Sequence, residues 1–131
     1  MILRIAHAAF TVSDMDKALE FYCGVLGFTK AFVLNDANGN PWINYIKISD
    51  GQFIELFYGK PTRVGNQSYA HLCLEVDDIH AVADAIKVKG LRLDVKPNQG
   101  KDLNWQCWVS DPDGNKIEFM QLSDNSPQRN S

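Results

Sequence analysis

Two glutamates and two histidines recur at matching places in this 131-residue chain. Their side-chain types suit the ligation of a divalent ion and the movement of a proton. Glu55 lies in "DGQFIELF", residues 50 to 57, and Glu118 in "DGNKIEFM", residues 113 to 120; each stands four positions after the glycine of an Asp-Gly pair. His7 precedes Glu55 by 48 positions, and His71 precedes Glu118 by 47. A carboxylate inside an apolar strand is costly to desolvate unless it is paired, hydrogen-bonded or bound to a cation. For a single histidine, a core residue hydrogen-bonded to a neighbour is an adequate explanation. For a His and a Glu in each of two copies, chance is a weak one: once His7 is taken, the odds that one of the two remaining histidines falls at random on the equivalent position are about 2 in 130. Neutral imidazole and carboxylate are donors for Zn, Ni, Co, Mn or Fe.

The elements that must position these groups repeat as well. "IAHAAFTVSDMDKALEFYCGVLGF" (5–28) lies over "YAHLCLEVDDIHAVADAIKVKGLR" (69–92): an alternating strand, an Asp-rich turn, an amphipathic helix and a glycine stop. Ser13 or Asp14 can cap the first helix, with apolar positions Met15, Ala18, Leu19, Tyr22, Val25 and Leu26. Asp77 or Asp78 can cap the second, with Ile79, Val82, Ala83 and Ile86. Strands are predicted at 3–12, 28–35, 42–49, 52–58, 69–76, 91–96, 105–110 and 115–122, so each copy reads βαβββ. "NDANGNP" and "VKPNQGKD" read as hairpin or loop connections. Alternation along a strand places His71, Cys73 and Glu75 on one face and Leu72, Leu74 and Val76 on the other. By the same parity Glu55 and Glu118 point away from the helix-packed layer. His80, on the outer side of the second helix, reads as solvent-facing.

Composition narrows the class. At 45% hydrophobic and 22% charged the chain can build one compact domain, and a formal charge of −3 with scattered Lys and Arg offers no track for nucleic acid. The opening "MILRIAHAAFTVSD" lacks signal-peptide organisation, and no apolar run reaches membrane-spanning length. The expectation is a cytoplasmic protein without membrane contact. Cys23, Cys73 and Cys107 are unclustered and read as reduced, partly buried thiols.

Paired βαβββ units carrying "HAAFTVSDMDKALEFYCGVLGF", "AHLCLEVDDI" and "DPDGNKIEFMQ" resemble the vicinal oxygen chelate superfamily, the fold of glyoxalase I, bleomycin resistance proteins and extradiol dioxygenases. The resemblance covers residues 4 to 122. It implies an α+β fold of two tandem modules, about 4–58 and 69–122, joined by a linker at 59–68 and followed by a flexible tail at 123–131. It also implies a curved mixed sheet forming a cup, helices outside, and a homodimer whose metal sites are shared between chains. The ligand set of bacterial glyoxalase I, His, Glu, His, Glu, matches His7, Glu55, His71 and Glu118 one by one. The resemblance assigns Glu118 as general base and acid and Glu55 as its catalytic partner, with proton transfer through a metal-bound enediolate. One divalent ion per site is implied, with Ni, Co, Zn, Mn and Fe all open.

Two departures bear on the substrate. Where glyoxalase I has an Arg four residues after the first His, and an Asn four after the first Glu, this chain has Thr11 and Gly59. A guanidinium that clamps a carboxylate is absent, which argues for a different thiol adduct or a small hydroxy-carbonyl compound. Trp42, Tyr45, Phe53, Phe57, Trp105 and Trp108 could wall an apolar pocket or fill a core or interface, and Lys60, Arg63 and Lys101 could meet an anion. The leading expectation is a metal-dependent lyase or isomerase resembling lactoylglutathione lyase. The alternatives are an epimerase resembling methylmalonyl-CoA epimerase, where a Gln usually stands at the Glu55 position, and a non-catalytic binding or resistance protein. A ring-cleaving dioxygenase fits less well, since a fourth protein ligand removes a site that oxygen and catechol need.

Overall fold

The computed structural model describes residues 5–60 and 70–131. Most of the expected linker, Arg63, and strand positions 3, 4 and 69 lie outside the described residues. The chain divides into two compact units, 1–65 and 66–131.

In the first unit, β1 (His7–Val12) leads to α1 (Met15–Leu19), a π-helical turn (Glu20–Val25), then β2 (Thr29–Asn35), β3 (Pro41–Ser49) and β4 (Gln52–Tyr58). The sheet order is β1-β4-β3-β2, with β1 parallel to β4 and the other pairs antiparallel. Of the two expected caps, Asp14 does the work: its extended backbone lets the carboxylate accept from the Lys17 N–H at 3.0 Å. The helix then departs from the uniform α-helix expected to Leu26. The Leu26 N–H donates to the Phe21 carbonyl, five residues back, at 3.0 Å. One added residue in a turn rotates the apolar stripe, so Phe21 joins Met15, Ala18 and Tyr22 among the buried residues. Against this layer the sheet turns Phe10, Val12, Ile46, Ile54 and Leu56, the last three fully buried. Each such side chain contributes about 1.5–3 kcal/mol by leaving water.

The second unit has β5 (Leu72–Glu75), α2 (Ile79–Val88), β6 (Val95–Gln99), β7 (Trp105–Ser110) and β8 (Lys116–Gln121), in sheet order β5-β8-β7-β6. β5 runs parallel to β8. Asp78 caps α2 by accepting from the N–H groups of His80 and Ala81, and Ile79, Ala83 and Ile86 form its buried face. The strand expected at 91–96 lies instead at 95–99, inside the stretch read as a loop. β6 is an edge strand with an irregular register between Val95 and Asn98, where the N–H that Pro97 lacks is not required. Residues 123–131, expected to be flexible, carry hydrogen bonds of their own. The Ser123 N–H donates to Asn104 Oδ1 at 3.0 Å, Asn130 Nδ2 donates to the Ser126 carbonyl at 2.9 Å, and Ser126 is buried.

Each unit is thus a mixed four-stranded sheet with helix on one face, an α+β architecture. Among the described residues no helix is long and apolar enough to cross a membrane.

Candidate metal centre

Register explains how each sheet brings a His and a Glu together. Across β1, β4 and β3, the partners are Ala9, Glu55 and Tyr45. Across β5, β8 and β7 they are Cys73, Glu118 and Trp108. Residues in register share a face, and His7 and His71 stand two positions before Ala9 and Cys73, so they share it too. The Asp-Gly turns set this register. Gly51 and Gly114 hold φ of 69° and 81°, a left-handed conformation that favours glycine, and Asp111 accepts from the N–H groups of Asp113 and Asn115 to fix the second turn.

His7 Nε2 lies 3.5 Å from Glu55 Oε1, and His71 Nε2 lies 3.0 Å from Glu118 Oε2. The two carboxylate side chains are 8% and 5% exposed, against 44% and 36% for the imidazoles. The buried negative charges act on their neighbours. Burial, followed by the charge of Glu118 and a hydrogen bond to it, with Asp102 and Glu75 adding, pushes the Cys73 thiol up to about 12. A hydrogen bond to Glu55, with burial and its charge adding, raises the Tyr45 phenol above its ordinary value. Aromatic rings flank both histidines edge-on, Tyr45 at 6.2 Å from His7 and Trp108 at 4.7 Å from His71.

The donor chemistry fits a divalent ion. Both carboxylates are buried, and the ion pairs of the described residues join them to imidazole, with no Lys or Arg. Oxygen and neutral-nitrogen donors of this kind hold Zn, Ni, Co, Mn or Fe. Among the described residues no three His, Cys, Asp or Glu side chains gather closely enough to hold one ion, so each unit offers a pair of donors.

The aromatic residues sort by face. Tyr45, Phe53 and Phe57 share the face of Glu55, and Trp42, at the start of β3, packs edge-on to Phe57 at 5.7 Å. Trp108 lies in register with Glu118. Trp105 does not join them: its register partner is Gln121, on the helix side, and its ring lies 5.4 Å from His80. His80 is exposed but rests on that indole. Lys60 and Lys101 are exposed. Of the three cysteines expected to be partly buried, Cys23 is half-buried, Cys107 is buried and Cys73 is exposed beside Glu118. The Tyr45 to Glu55 contact is the relation sequence reasoning missed; the repeat alone, setting Tyr45 where Trp108 recurs, carried a hint of it.

The Glyoxalase/Bleomycin resistance protein/Dioxygenase superfamily profile matches residues 4–119, and the chain belongs to that superfamily. Two curated relatives are each named probable lactoylglutathione lyase. That of Synechocystis is 33% identical over 91% of this chain and 95% of its own. That of Vibrio cholerae is 34% identical over 90% of both chains. Among solved structures, TnmS3, an antibiotic binding protein from Streptomyces, superposes with a TM-score of 0.77 and 26% identity, covering 93% of this chain and 98% of that one.

Proposed function

We propose that this chain is a divalent-metal-dependent lyase or isomerase of the glyoxalase type, acting on a small hydroxy-carbonyl compound or thiol adduct. The carrying observation is the doubled pair: one buried Glu beside one His on the open face of each sheet, at 3.5 and 3.0 Å. The relatives named lactoylglutathione lyase support the same class of reaction.

In this reading His7, Glu55, His71 and Glu118 hold the ion, which when bound supplies Lewis acidity to two neighbouring substrate oxygens. Glu118 takes the proton from the hydroxyl-bearing carbon beside the carbonyl and delivers it to the carbonyl carbon, while the hydroxyl proton passes to the former carbonyl oxygen, so the product is an isomer and the carboxylate is regenerated. Burial removes competing water from that carboxylate. His7 and His71 stay in place as ligands while Glu55 balances the charge. A homodimer in which each ion draws one pair from either chain completes the proposal, with the cytoplasm as its compartment.

A second reading has its own support. The stacked Phe32 and Tyr45 rings, 4.3 Å apart, and the likeness to an antibiotic binding protein suit a site that holds a planar compound without chemistry. Metal content per chain, with light scattering for stoichiometry, separates the two. About one ion per chain, lost in His71→Ala, supports the enzyme. No uptake of Ni, Co, Zn or Mn by the wild type removes it and leaves the binding reading.

A further inference from the structure

The two halves of the repeat treat their glutamates differently. Tyr45 and Trp108 occupy equivalent places, each in cross-strand register with its glutamate and each edge-on to its histidine. The Trp108 N–H is committed elsewhere, donating to Gln106 Oε1 at 3.2 Å. Tyr45 instead carries a phenol hydroxyl on the face of Glu55. Its ring is held from three sides: stacked on Phe32 at 4.3 Å, and edge-on to Phe53 at 6.3 Å and to His7 at 6.2 Å. A ring packed this way is restrained on the face that carries Glu55.

From this geometry we infer that Tyr45 is a positioning residue, holding the Glu55 carboxylate and the His7 ring in the arrangement from which they bind a divalent ion. This rests on the metal-dependent reading above. A donor fixed on a ligating carboxylate restricts it to one orientation and lowers the cost of ordering it on binding. Glu118 has no phenol at the equivalent place. The phenol belongs to one carboxylate of the pair; the residue in register with Glu118 on β5 is Cys73. Substitutions of partners that orient ligands commonly weaken metal affinity by about 10- to 100-fold.

The test is a Co(II) titration of metal-free protein, read by affinity and by the ligand-field absorption of the bound ion, on wild type, Tyr45→Phe and Tyr58→Phe. Tyr45→Phe keeps the stacked ring and removes only the hydroxyl. Tyr58→Phe also removes a phenol hydroxyl, but from a residue bonded to Asn44 on the helix side of the same sheet. Circular dichroism and melting confirm that each variant is folded. The expected result is a loss of Co(II) affinity of about tenfold or more with an altered spectrum in Tyr45→Phe, and neither change in Tyr58→Phe. Wild-type affinity and spectrum in Tyr45→Phe would overturn the role of Tyr45 while leaving the metal reading intact. Equal losses in both phenylalanine variants would overturn it as well, by showing a general effect of losing a hydroxyl. Absence of Co(II) binding by the wild type would remove the metal reading and this proposal together.

Discussion

His71 meets Trp108 edge-on, with ring centroids 4.7 Å apart, and the same imidazole lies 3.0 Å from Glu118. Any cation that engages His71 and Glu118 therefore places a charge next to an indole. Binding of Ni(II) or Co(II) is expected to quench tryptophan fluorescence, and chelation to restore it. The quenching should vanish in His71→Ala and fall sharply in Trp108→Phe, which leaves Trp42 and Trp105 in place. A signal that survives Trp108→Phe unchanged would put the ion elsewhere.

The His and Glu pairs were legible because a repeat and a strict alternation carry them: knowing that a residue lies on a strand fixes its face. What lay beyond reach was register. β3 and β4 slip between Lys47 and Ser49, and that irregularity decides that Tyr45, not a neighbour, stands opposite Glu55. The π-helical turn was hidden for a related reason. A single added residue changes no composition, yet it exchanges which side chains face the sheet, so Phe21 is buried against the predicted period. In the second sheet, β6 falls within the stretch read as a connection, because an edge position accommodates Pro97.

Cys73 offers a chemical readout of Glu118. Burial and the neighbouring carboxylate push its thiol up to about 12, so little thiolate exists at neutral pH despite the exposed position. Alkylation of Cys73 by iodoacetamide at pH 7.5 is expected to be slower, by about tenfold or more, than that of an ordinary thiol. Glu118→Gln removes a negative neighbour and should accelerate it. Peptide mass spectrometry follows the site directly, and an unchanged rate in Glu118→Gln would sink the coupling.

Asp94 predicts an acid-side loss of stability. Its carboxylate accepts from Ser110 Oγ at 2.6 Å and from Lys116 Nζ at 3.1 Å, and these contacts, the Ser110 bond foremost, hold its pKa below the ordinary 3.8. A depressed carboxylate contributes stability that is fully present above 3.8 and is lost as pH falls through the folded-state value. Because the group is partly exposed, Asp94→Asn should cost only about 1 kcal/mol at neutral pH. The gap between wild type and variant should close below pH 3.8. Urea melts at several pH values check this; a gap that persists in acid would mean that the carboxylate charge is not its source.

Asn44 predicts a gain. It is fully buried on the helix side of β3, its Nδ2 donates to the Tyr58 hydroxyl at 3.3 Å, and among the described residues its Oδ1 meets no donor. A buried acceptor left unpaired costs about 1–3 kcal/mol. Leucine has a similar shape and no polar atoms, and the exposed Tyr58 can turn to solvent. Asn44→Leu is expected to raise the melting temperature by about 4 °C. A lower melting temperature would show that Asn44 is satisfied in solution.

Thr11 and Gly59 test the substrate class. Thr11 shares the open face with His7, and a Cβ at Gly59 would come within 3.2 Å of the Thr11 methyl, so the two positions touch. Neither presents a cation or an amide to a peptide-like adduct. Thr11→Arg would place a guanidinium on the Glu55 face, able to bind a carboxylate through two parallel hydrogen bonds. If the wild type handles small adducts, its turnover of a glutathione hemithioacetal should be poor and should improve in Thr11→Arg mainly through KM, by about tenfold for one such contact. The flexible side chain can reach this face without disturbing the His7 and Glu55 pair, so kcat should change little. Efficient glutathione turnover by the wild type, undiminished and unimproved by Thr11→Arg, would mean that other residues recognise the tripeptide and that the departures at these two positions do not set specificity.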